Sequence, residues 1–375
     1  MIAMGAGLKK RGRALGLPFS GETGAYNAIT DVPGVEVGFK TITKNKGEGD
    51  PRPGVQTGVT AILPRGRAAS PAYLYAGMHS LNGNGEMTGS HWINDAGYFV
   101  SPICITNTHS VGVVHHGVLK WMIDRYPDFF SEQHNFVMPV VAETYDGVLN
   151  DINGLHITEA DVIDALDAAR PGQVAEGNVG GGNGMIAYEF KGGTGVSSQL
   201  FEIGARQYAL GVLVQSNFGK RSDLVVCGAP VGELMPEDAI YDEILRREMG
   251  SVIVVIATDA PLIPSQLSRV AKRASLGIAR TGALAANGSG DIFLAFSTAN
   301  EAVDLSKISA VRQITAVEDE YLDEVYRAAR DAVEEAIINA LLAAETSLSV
   351  NPAGLTAHAI DHDRLMNLMK SRLNT

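Results

Sequence analysis

Cysteine, aromatic side chains, positive charge and long apolar runs are all scarce in this chain, and each scarcity narrows the protein class. The two cysteines, Cys104 and Cys227, stand in separate apolar runs, which predicts buried thiols and no disulfide framework. The formal net charge is -12, from 30 lysines and arginines against 42 aspartates and glutamates, which argues against a nucleic-acid partner or an anionic membrane surface. No apolar run approaches the roughly 18 residues of a membrane-spanning helix, so no membrane partner is expected.

Signatures of several common enzyme classes are missing as well. The densest glycine loop, residues 177–184, contains no Gly-x-Gly-x-x-Gly and is not followed by Gly-Lys-Ser/Thr, which disfavours nucleotide binding. His358 and His362 have the spacing of two zinc ligands on one helix, but the glutamate of a His-Glu-x-x-His motif is absent. Neither a Gly-x-Ser-x-Gly elbow nor a Cys-x-x-Cys pair occurs.

What the chain does contain is a junction between a charged segment and an apolar strand. Residues 242–248 have the composition of a solvated linker or helix end, whereas residues 252–256 predict a strand that is buried on both faces. A cut between Gly250 and Ser251 would give the serine a free α-amino group, whose usual pKa of about 7.7 to 8.0 suits a base at neutral pH. A glycine and a serine that merely cap a strand would produce the same local pattern.

Polar residues also stand at the ends of other predicted strands. They are Glu143, Tyr145, Asn217, Ser289 and Asp291. Side chains at strand ends can converge on one cleft, although each of these residues is also an ordinary turn residue when considered singly. Their joint occurrence with Ser251 predicts a site at one edge of a sheet.

The order of strand-like and helix-like segments predicts a single α/β domain over residues 1–375. Hairpins outnumber strand-helix-strand units, so mainly antiparallel strands are expected. Strands are predicted at 29–37, 58–63, 100–108, 136–141, 207–215 and 292–297, and helices at 115–125, 158–169, 264–278 and about 317–342.

Several motifs in a fixed order resemble one known family, the L-aminopeptidase/D-amidase-esterases and β-aminopeptidases. The matching blocks include Asn-Gly-Glu-Met-Thr-Gly at 84–89, Ala-Glu-Thr-Tyr-Asp-Gly at 142–147 and Asn-Gly-Ser-Gly-Asp at 287–291, with others at 29–35, 106–112, 177–184 and 257–262. This resemblance implies a four-layer α-β-β-α sandwich, similar to N-terminal-nucleophile hydrolases but differently connected. It also implies self-cleavage between Gly250 and Ser251 into an α chain, residues 1–250, and a β chain, residues 251–375.

The resemblance further implies a role for each strand-end residue. Ser251 matches the nucleophile, Ser289 and Asp291 match the serine and acid beside it, and some family members carry glutamate in place of Asp291. Asn217 matches an amide of the oxyanion hole, and Tyr145 matches a hydroxyl that stabilises the intermediate or handles a proton. Glu143 matches a carboxylate near the free ammonium group of the substrate. No metal or cofactor is needed in this scheme.

The expected function is therefore an autoprocessed serine aminopeptidase or amidase that acts on short peptides, amides or esters. Two alternatives stay open at this point: an acyl transferase similar to the ornithine acetyltransferases, which use a threonine nucleophile, and a non-catalytic binding protein on the same scaffold. Residues 1–20 lack the order of a secretory signal, so a cytoplasmic location is expected. A homotetramer of αβ units is implied by the resemblance alone.

Overall fold

The computed structural model describes residues 10–47, 49–67, 71–131, 134–241, 250–300, 303–304 and 310–373. The predicted linker at 242–248 thus lies outside the described residues. The strands are β1 Glu36–Gly47, β2 Asp50–Leu63, β3 Ala72–Gly83, β4 Tyr98–Phe99, β5 Ile103–Asn107, β6 Val140–Thr144, β7 Ile186–Ala187, β8 Phe190–Lys191, β9 Gly193–Ile203, β10 Arg206–Asn217, β11 Ser251–Thr258, β12 Gly290–Ser297, β13 Val303–Asp304, β14 Ser347–Leu348 and β15 Thr356–Ala357. The helices are α1 Gly12–Leu15, α2 Ser90–Ala96, α3 Val111–Arg125, α4 Pro127–Ser131, α5 Glu159–Asp167, α6 Val231–Leu234, α7 Pro264–Arg280, α8 Leu322–Ala343 and α9 His362–Leu373.

Two sheets form the centre of the fold. One has the strand order β1-β2-β5-β6, and the other has the order β13-β3-β12-β11-β10-β9, with β4 paired to β3. Most neighbours are antiparallel, as expected, but β5 with β6 and β11 with β12 are parallel pairs. Because β11 and β12 are parallel, both strands begin at the same end of the larger sheet.

Three apolar cores separate four layers. Helices α3 and α5 cover the outer face of the smaller sheet, and helices α7 and α8 cover the outer face of the larger sheet. Between the sheets lies a third core, to which both sheets contribute. The predicted four-layer α-β-β-α sandwich is therefore confirmed.

The burial of strand β11 explains why its sequence is apolar between Ser251 and Thr258. All eight of its residues are buried. Val252 and Val254 pack toward the helices, whereas Ile253 and Val255 pack between the sheets, as the two-residue period of a strand requires. By the same alternation, Ser251 belongs to the face between the sheets.

Two strand predictions need correction. The predicted strand at 29–37 begins instead with a 3₁₀ helix at Ile29–Asp31, because the Asp31 carboxylate accepts hydrogen bonds from the backbone N–H groups of Tyr26 and Ala28 and closes a turn there. The predicted strand at 136–141 is displaced to β6. Phe136 is 77% exposed, and Pro139 has no N–H with which to join a ladder of hydrogen bonds.

None of the helices in the described ranges is long and apolar enough to cross a membrane. The two histidines considered as a zinc pair do not share a helix face, because α9 begins at His362 and His358 precedes it. The His362 Nε2 atom instead lies 2.9 Å from the Leu342 carbonyl oxygen.

Lys191 is a buried amine in the smaller β7-β8 hairpin. Its Nζ atom donates to the carbonyl oxygen of Gly192 at 2.9 Å and to that of Gly182 at 3.5 Å. Burial lowers the pKa of this amine from 10.5 to about 7. Between about pH 7 and pH 10.5, the Lys191 amine therefore carries a proton in the unfolded chain that it lacks in the folded protein.

Replacing Lys191 with methionine is expected to change how stability depends on pH. Because the unfolded state of the wild type binds the extra proton, its free energy of unfolding should rise with pH by up to about 1.4 kcal/mol per unit between pH 7 and 10. The Lys191→Met variant should lose this rise in urea unfolding at pH 7, 8 and 9. Exposed Lys44 provides the control, Lys44→Met, which should follow the wild type. A Lys191→Met curve parallel to that of the wild type would show that this amine is charged inside the fold.

Candidate active site

Ser251 lies between two neighbouring strands that each bring a predicted site residue to it. In the sheet register, Asn217 of β10 pairs with Ser251 from one side, and Gly290 of β12 pairs with it from the other. Adjacent strands lie about 4.7 to 4.9 Å apart, so Ser289 and Asp291 flank the position opposite Ser251. The structure thus brings the backbones of Asn217, Ser251, Ser289 and Asp291 together at one end of three neighbouring strands. Ser251 itself is only 5% exposed.

The carbonyl oxygen of Gly250, the residue before Ser251, has two hydrogen-bond donors. This oxygen accepts a hydrogen bond from the Ser251 Oγ atom at 2.8 Å and one from the Gly290 backbone N–H at 3.1 Å. These contacts place the serine hydroxyl beside the carbonyl group of the preceding residue. They also place an N–H donor where negative charge would develop if that carbonyl were attacked.

Close backbone packing explains the two glycines of this arrangement. A Cβ atom on Gly250 would lie 2.6 Å from the Cα atom of Phe218 and 2.8 Å from the carbonyl oxygen of Asn217. A Cβ atom on Gly290 would lie 2.4 Å from the carbonyl oxygen of Asn84. Any larger residue at either position would push the strands apart at the point where the serine meets its neighbours.

Ser289 and Asp291 form a buried pair on either side of Gly290, the residue that pairs with Ser251 in the strand register. The Ser289 hydroxyl donates to Asp291 Oδ1 at 2.6 Å, and the Asn82 side-chain amide donates to Asp291 Oδ2 at 3.2 Å. Burial raises the pKa of Asp291, while these two donors and the Val252 amide act to lower it. The Asp291 carboxylate thus orients the hydroxyl of Ser289, the residue before Gly290 in the chain.

Asn217 is held from both ends of its side-chain amide. Its Oδ1 atom accepts from the Ile186 N–H at 2.9 Å, and its Nδ2 atom donates to the Tyr145 carbonyl oxygen at 2.9 Å. Among the described residues Nδ2 has no second acceptor, although a primary amide carries two hydrogens. Tyr145 thus contacts Asn217 through its backbone, whereas its hydroxyl lies beside Gly147, where a Cβ atom would be 2.3 Å away.

A buried carboxylate fixes the segment that follows β6. Asp146 accepts hydrogen bonds from Thr57 Oγ1 at 2.7 Å and from Asn150 Nδ2 at 3.0 Å. Burial raises the pKa of Asp146 to about 7, and these donors act to lower it. The neighbouring Tyr145 carbonyl is thereby held at a fixed position toward Asn217.

Glu143, at 3% exposure, is a further buried carboxylate and belongs to β6. Its Oε1 atom accepts from the Glu86 backbone N–H at 2.9 Å, and its Oε2 atom accepts a short hydrogen bond from Thr108 Oγ1. Burial raises the pKa of Glu143, and both donors act to lower it. Only Gly85 separates it from β12: a Cβ atom there would be 3.3 Å from both Glu143 Oε1 and the Gly290 Cα atom.

Three contributors were missed by sequence reasoning: Asn82, Thr108 and Gly290. Gly290 and Thr108 stand inside blocks that carried the family resemblance, but their roles depend on which strands become neighbours. Asn82 lies 209 residues from the carboxylate it contacts, so no local pattern could link the two. In the described part of the chain, no group of three or more His, Cys, Asp or Glu side chains is arranged to hold a metal ion.

Comparison with known proteins agrees with this fold. Peptidase family S58 matches residues 27–352. β-Peptidyl aminopeptidase BapA of Sphingosinicella microcystinivorans is 48% identical over 373 residues, which cover 96% of this chain and 92% of that protein. Among solved structures, L-aminopeptidase D-Ala-esterase/amidase from Ochrobactrum anthropi, described as a prototype for the serine aminopeptidases and a new variant among the Ntn hydrolase fold, has a TM-score of 0.92 at 51% identity and covers 97% of this chain and 99% of its own. A Burkholderia sp. β-aminopeptidase has a TM-score of 0.86 at 43% identity and covers 96% and 99%.

Fold and site together define a hydrolase of the aminopeptidase class, built on a variant of the Ntn hydrolase fold. The chain belongs to peptidase family S58. The predicted family, hydrolase class and serine aminopeptidase or amidase activity are thus confirmed, and the acyltransferase and binding-protein alternatives are not favoured.

Proposed function

We propose that this protein activates itself by cutting the Gly250–Ser251 peptide bond and then removes N-terminal residues from short peptides, amides or esters. The observation that carries the proposal is the Gly250 carbonyl oxygen, which accepts hydrogen bonds from both Ser251 Oγ and the Gly290 N–H. One donor belongs to the attacking group itself, and the other is suited to the charge that the attack creates.

The cut proceeds by transfer of the Gly250 acyl group from nitrogen to oxygen. Ser251 Oγ attacks the Gly250 carbonyl carbon, and the hydroxyl proton moves to the Ser251 nitrogen as the C–N bond breaks. The product is an ester between Gly250 and the Ser251 oxygen, which water hydrolyses to a Gly250 carboxylate and a serine with a free α-amino group. The Gly290 N–H stabilises the tetrahedral oxyanion, and such a donor is typically worth about 2.7 to 4 kcal/mol.

Turnover uses the same hydroxyl against an external substrate. Ser251 Oγ attacks the substrate carbonyl carbon, its proton passes through the new α-amino group or the Ser289 hydroxyl to the leaving group, and water then releases the acyl group from Ser251. Asp291 keeps Ser289 oriented. A positioned base contributes roughly 10² to 10⁴-fold to such a step. The second hydrogen of the Asn217 amide serves the oxyanion, and Tyr145 holds Asn217 through its carbonyl.

Glu143 provides the recognition of a free amino group. It is buried, no lysine or arginine of the described residues forms a salt bridge with it, and Gly85 lies between its carboxylate and Gly290, the strand partner of Ser251. His109 acts on it only as a nearby charge. A substrate ammonium would supply the missing positive charge. The names of the relatives, a β-peptidyl aminopeptidase and an L-aminopeptidase D-Ala-esterase/amidase, fit substrates that begin with such an amine.

Hydrolysis of matched substrates tests this function. Purified protein is given α- and β-aminoacyl nitroanilides, with the N-acetylated forms as controls, and acetyl transfer from acetylornithine to glutamate is measured in parallel. We expect nitroaniline release only from substrates with a free amine. Acetyl transfer without hydrolysis would replace the proposal with an acyltransferase, and inertness toward every substrate would leave a binding protein.

Assembly and location complete the proposal. A homotetramer of αβ units and a cytoplasmic location stay predictions from the sequence. Light scattering of the purified protein measures the first, and fractionation of cells that express it measures the second.

A further inference from the structure

We infer that Asn82 is a positioning residue of this reaction, supplied from the α-chain side of the processing site to orient Asp291 and the turn that carries Ser289. This inference rests on the proposed function. The relevant contacts join the end of β3 to the turn before β12, two segments that self-cleavage would leave on different chains.

The Asn82 side chain makes three contacts through its Nδ2 group. That atom lies 2.9 Å from the Ala285 carbonyl oxygen, 3.1 Å from the Ala286 carbonyl oxygen and 3.2 Å from Asp291 Oδ2. Ala285 has a positive φ of 55°, an uncommon conformation for a residue with a side chain. Asn82 therefore stabilises the turn and fixes the second oxygen of the carboxylate, while Ser289 occupies the first.

Asn84 offers an internal comparison. Its Nδ2 atom donates to the Gly288 carbonyl oxygen at 2.7 Å, so it holds the same turn. No hydrogen bond joins Asn84 to Asp291 in the described structure. Loss of Asn84 would loosen the turn alone, whereas loss of Asn82 would also change the electrostatic environment of Asp291.

The sign of this second effect follows from the chemistry of the carboxylate. A donor to an ionised carboxylate favours the charged form, so removing the Asn82 amide would raise the pKa of Asp291. In the uncut chain the other groups that act on this carboxylate are the Ser289 hydroxyl and the Val252 amide, both uncharged. Cleavage would add the α-amino group of Ser251, the residue before Val252, and this group is the same in every variant compared. On the other side of Gly85 lies the Glu143 carboxylate, which accepts from the Glu86 backbone N–H, and both glutamates are unchanged in the variants considered below.

The test is the pH profile of kcat/KM for an aminoacyl nitroanilide in four proteins: wild type, Asn82→Ala, Asn82→Asp and Asn84→Ala. In Asn82→Ala, the fall of kcat/KM on the acid side of the profile (its acid limb) should occur at a pH about one unit higher than in the wild type. This is the size expected for a lost hydrogen bond to a charged group. Asn82→Asp, which keeps the shape, places a second carboxylate at Asp291 and should move the limb further. Asn84→Ala should lower the rate without moving the limb.

Two outcomes would overturn the inference while leaving the proposed function intact. One is an active Asn82→Asp protein whose acid limb coincides with that of the wild type. The other is an equal limb shift in Asn84→Ala, which would assign the effect to turn packing. An inactive wild type would instead contradict the proposed function. If a variant is purified as the uncut chain, its self-cleavage is followed over time at each pH. The pH dependence of that rate then replaces the pH dependence of kcat/KM in the comparison.

Discussion

Ser251→Ala is expected to yield a protein that stays at full length and hydrolyses no aminoacyl nitroanilide. Both steps use the same hydroxyl, which lies 2.8 Å from the oxygen of the carbonyl it would attack. Alanine fits the space of a buried serine at the start of β11, so the fold should survive. The measurement combines denaturing gel electrophoresis with an assay of nitroaniline release, and the activity loss should reach the background of the assay.

Ser297→Ala is the matched control. Ser297 ends β12 in the same sheet and is likewise buried, but its hydroxyl donates to the Ala260 carbonyl oxygen, far along the strands from Ser251. This variant should be cut and active. If Ser251→Ala were still cleaved between residues 250 and 251, the nucleophile would have to be another group.

Glu143→Gln has the second largest expected effect, and it should separate turnover from self-cleavage. Glutamine keeps the size of the side chain but removes the charge that would bind the substrate ammonium. Removing one partner of a buried charge pair typically costs about 2 to 5 kcal/mol, which corresponds to roughly 30- to 5,000-fold in kcat/KM. The variant should nevertheless be cut, because Gly250 and Ser251 carry no ammonium group before cleavage.

Glu86→Gln serves as the control for this change. Glu86 contacts Glu143 through its backbone N–H, and its exposed side chain acts on Glu143 only as a nearby charge that raises the pKa of that carboxyl, so its loss should change kcat/KM little. Steady-state kinetics on one free-amine substrate should place Glu86→Gln near the wild type. A Glu143→Gln enzyme with unchanged kcat/KM would mean that another group recognises the amine.

The parts of the site that sequence could predict are those that depend on one strand and its ends. The apolar run after Ser251 fixed both the strand and the position of the serine at its start, because a strand buried on both faces has no polar alternation. The family resemblance then implied that Asn217, Ser289 and Asp291 belong to the same site. The structure brings these residues together through strand pairing.

The parts that sequence could not predict depend on contacts between distant segments. The donor role of the Gly290 N–H requires β12 to run parallel beside β11, and the role of Asn82 requires β3 to end beside the same turn. Residues 29–31 were mistaken for a strand because their apolar and β-branched composition outweighed the side-chain hydrogen bonds of Asp31, which hold a turn. The contact of Tyr145 with Asn217 through its carbonyl could not be read from the sequence, and the role expected of its hydroxyl stays a prediction.

The most direct measurement is the intact mass, under denaturing conditions, of wild-type protein from a preparation that hydrolyses an aminoacyl nitroanilide. Self-cleavage predicts two species, residues 1–250 and residues 251–375, with an unmodified serine at the start of the smaller one. A single species of 375 residues in an active preparation would contradict it, since Ser251 would then have no free amine.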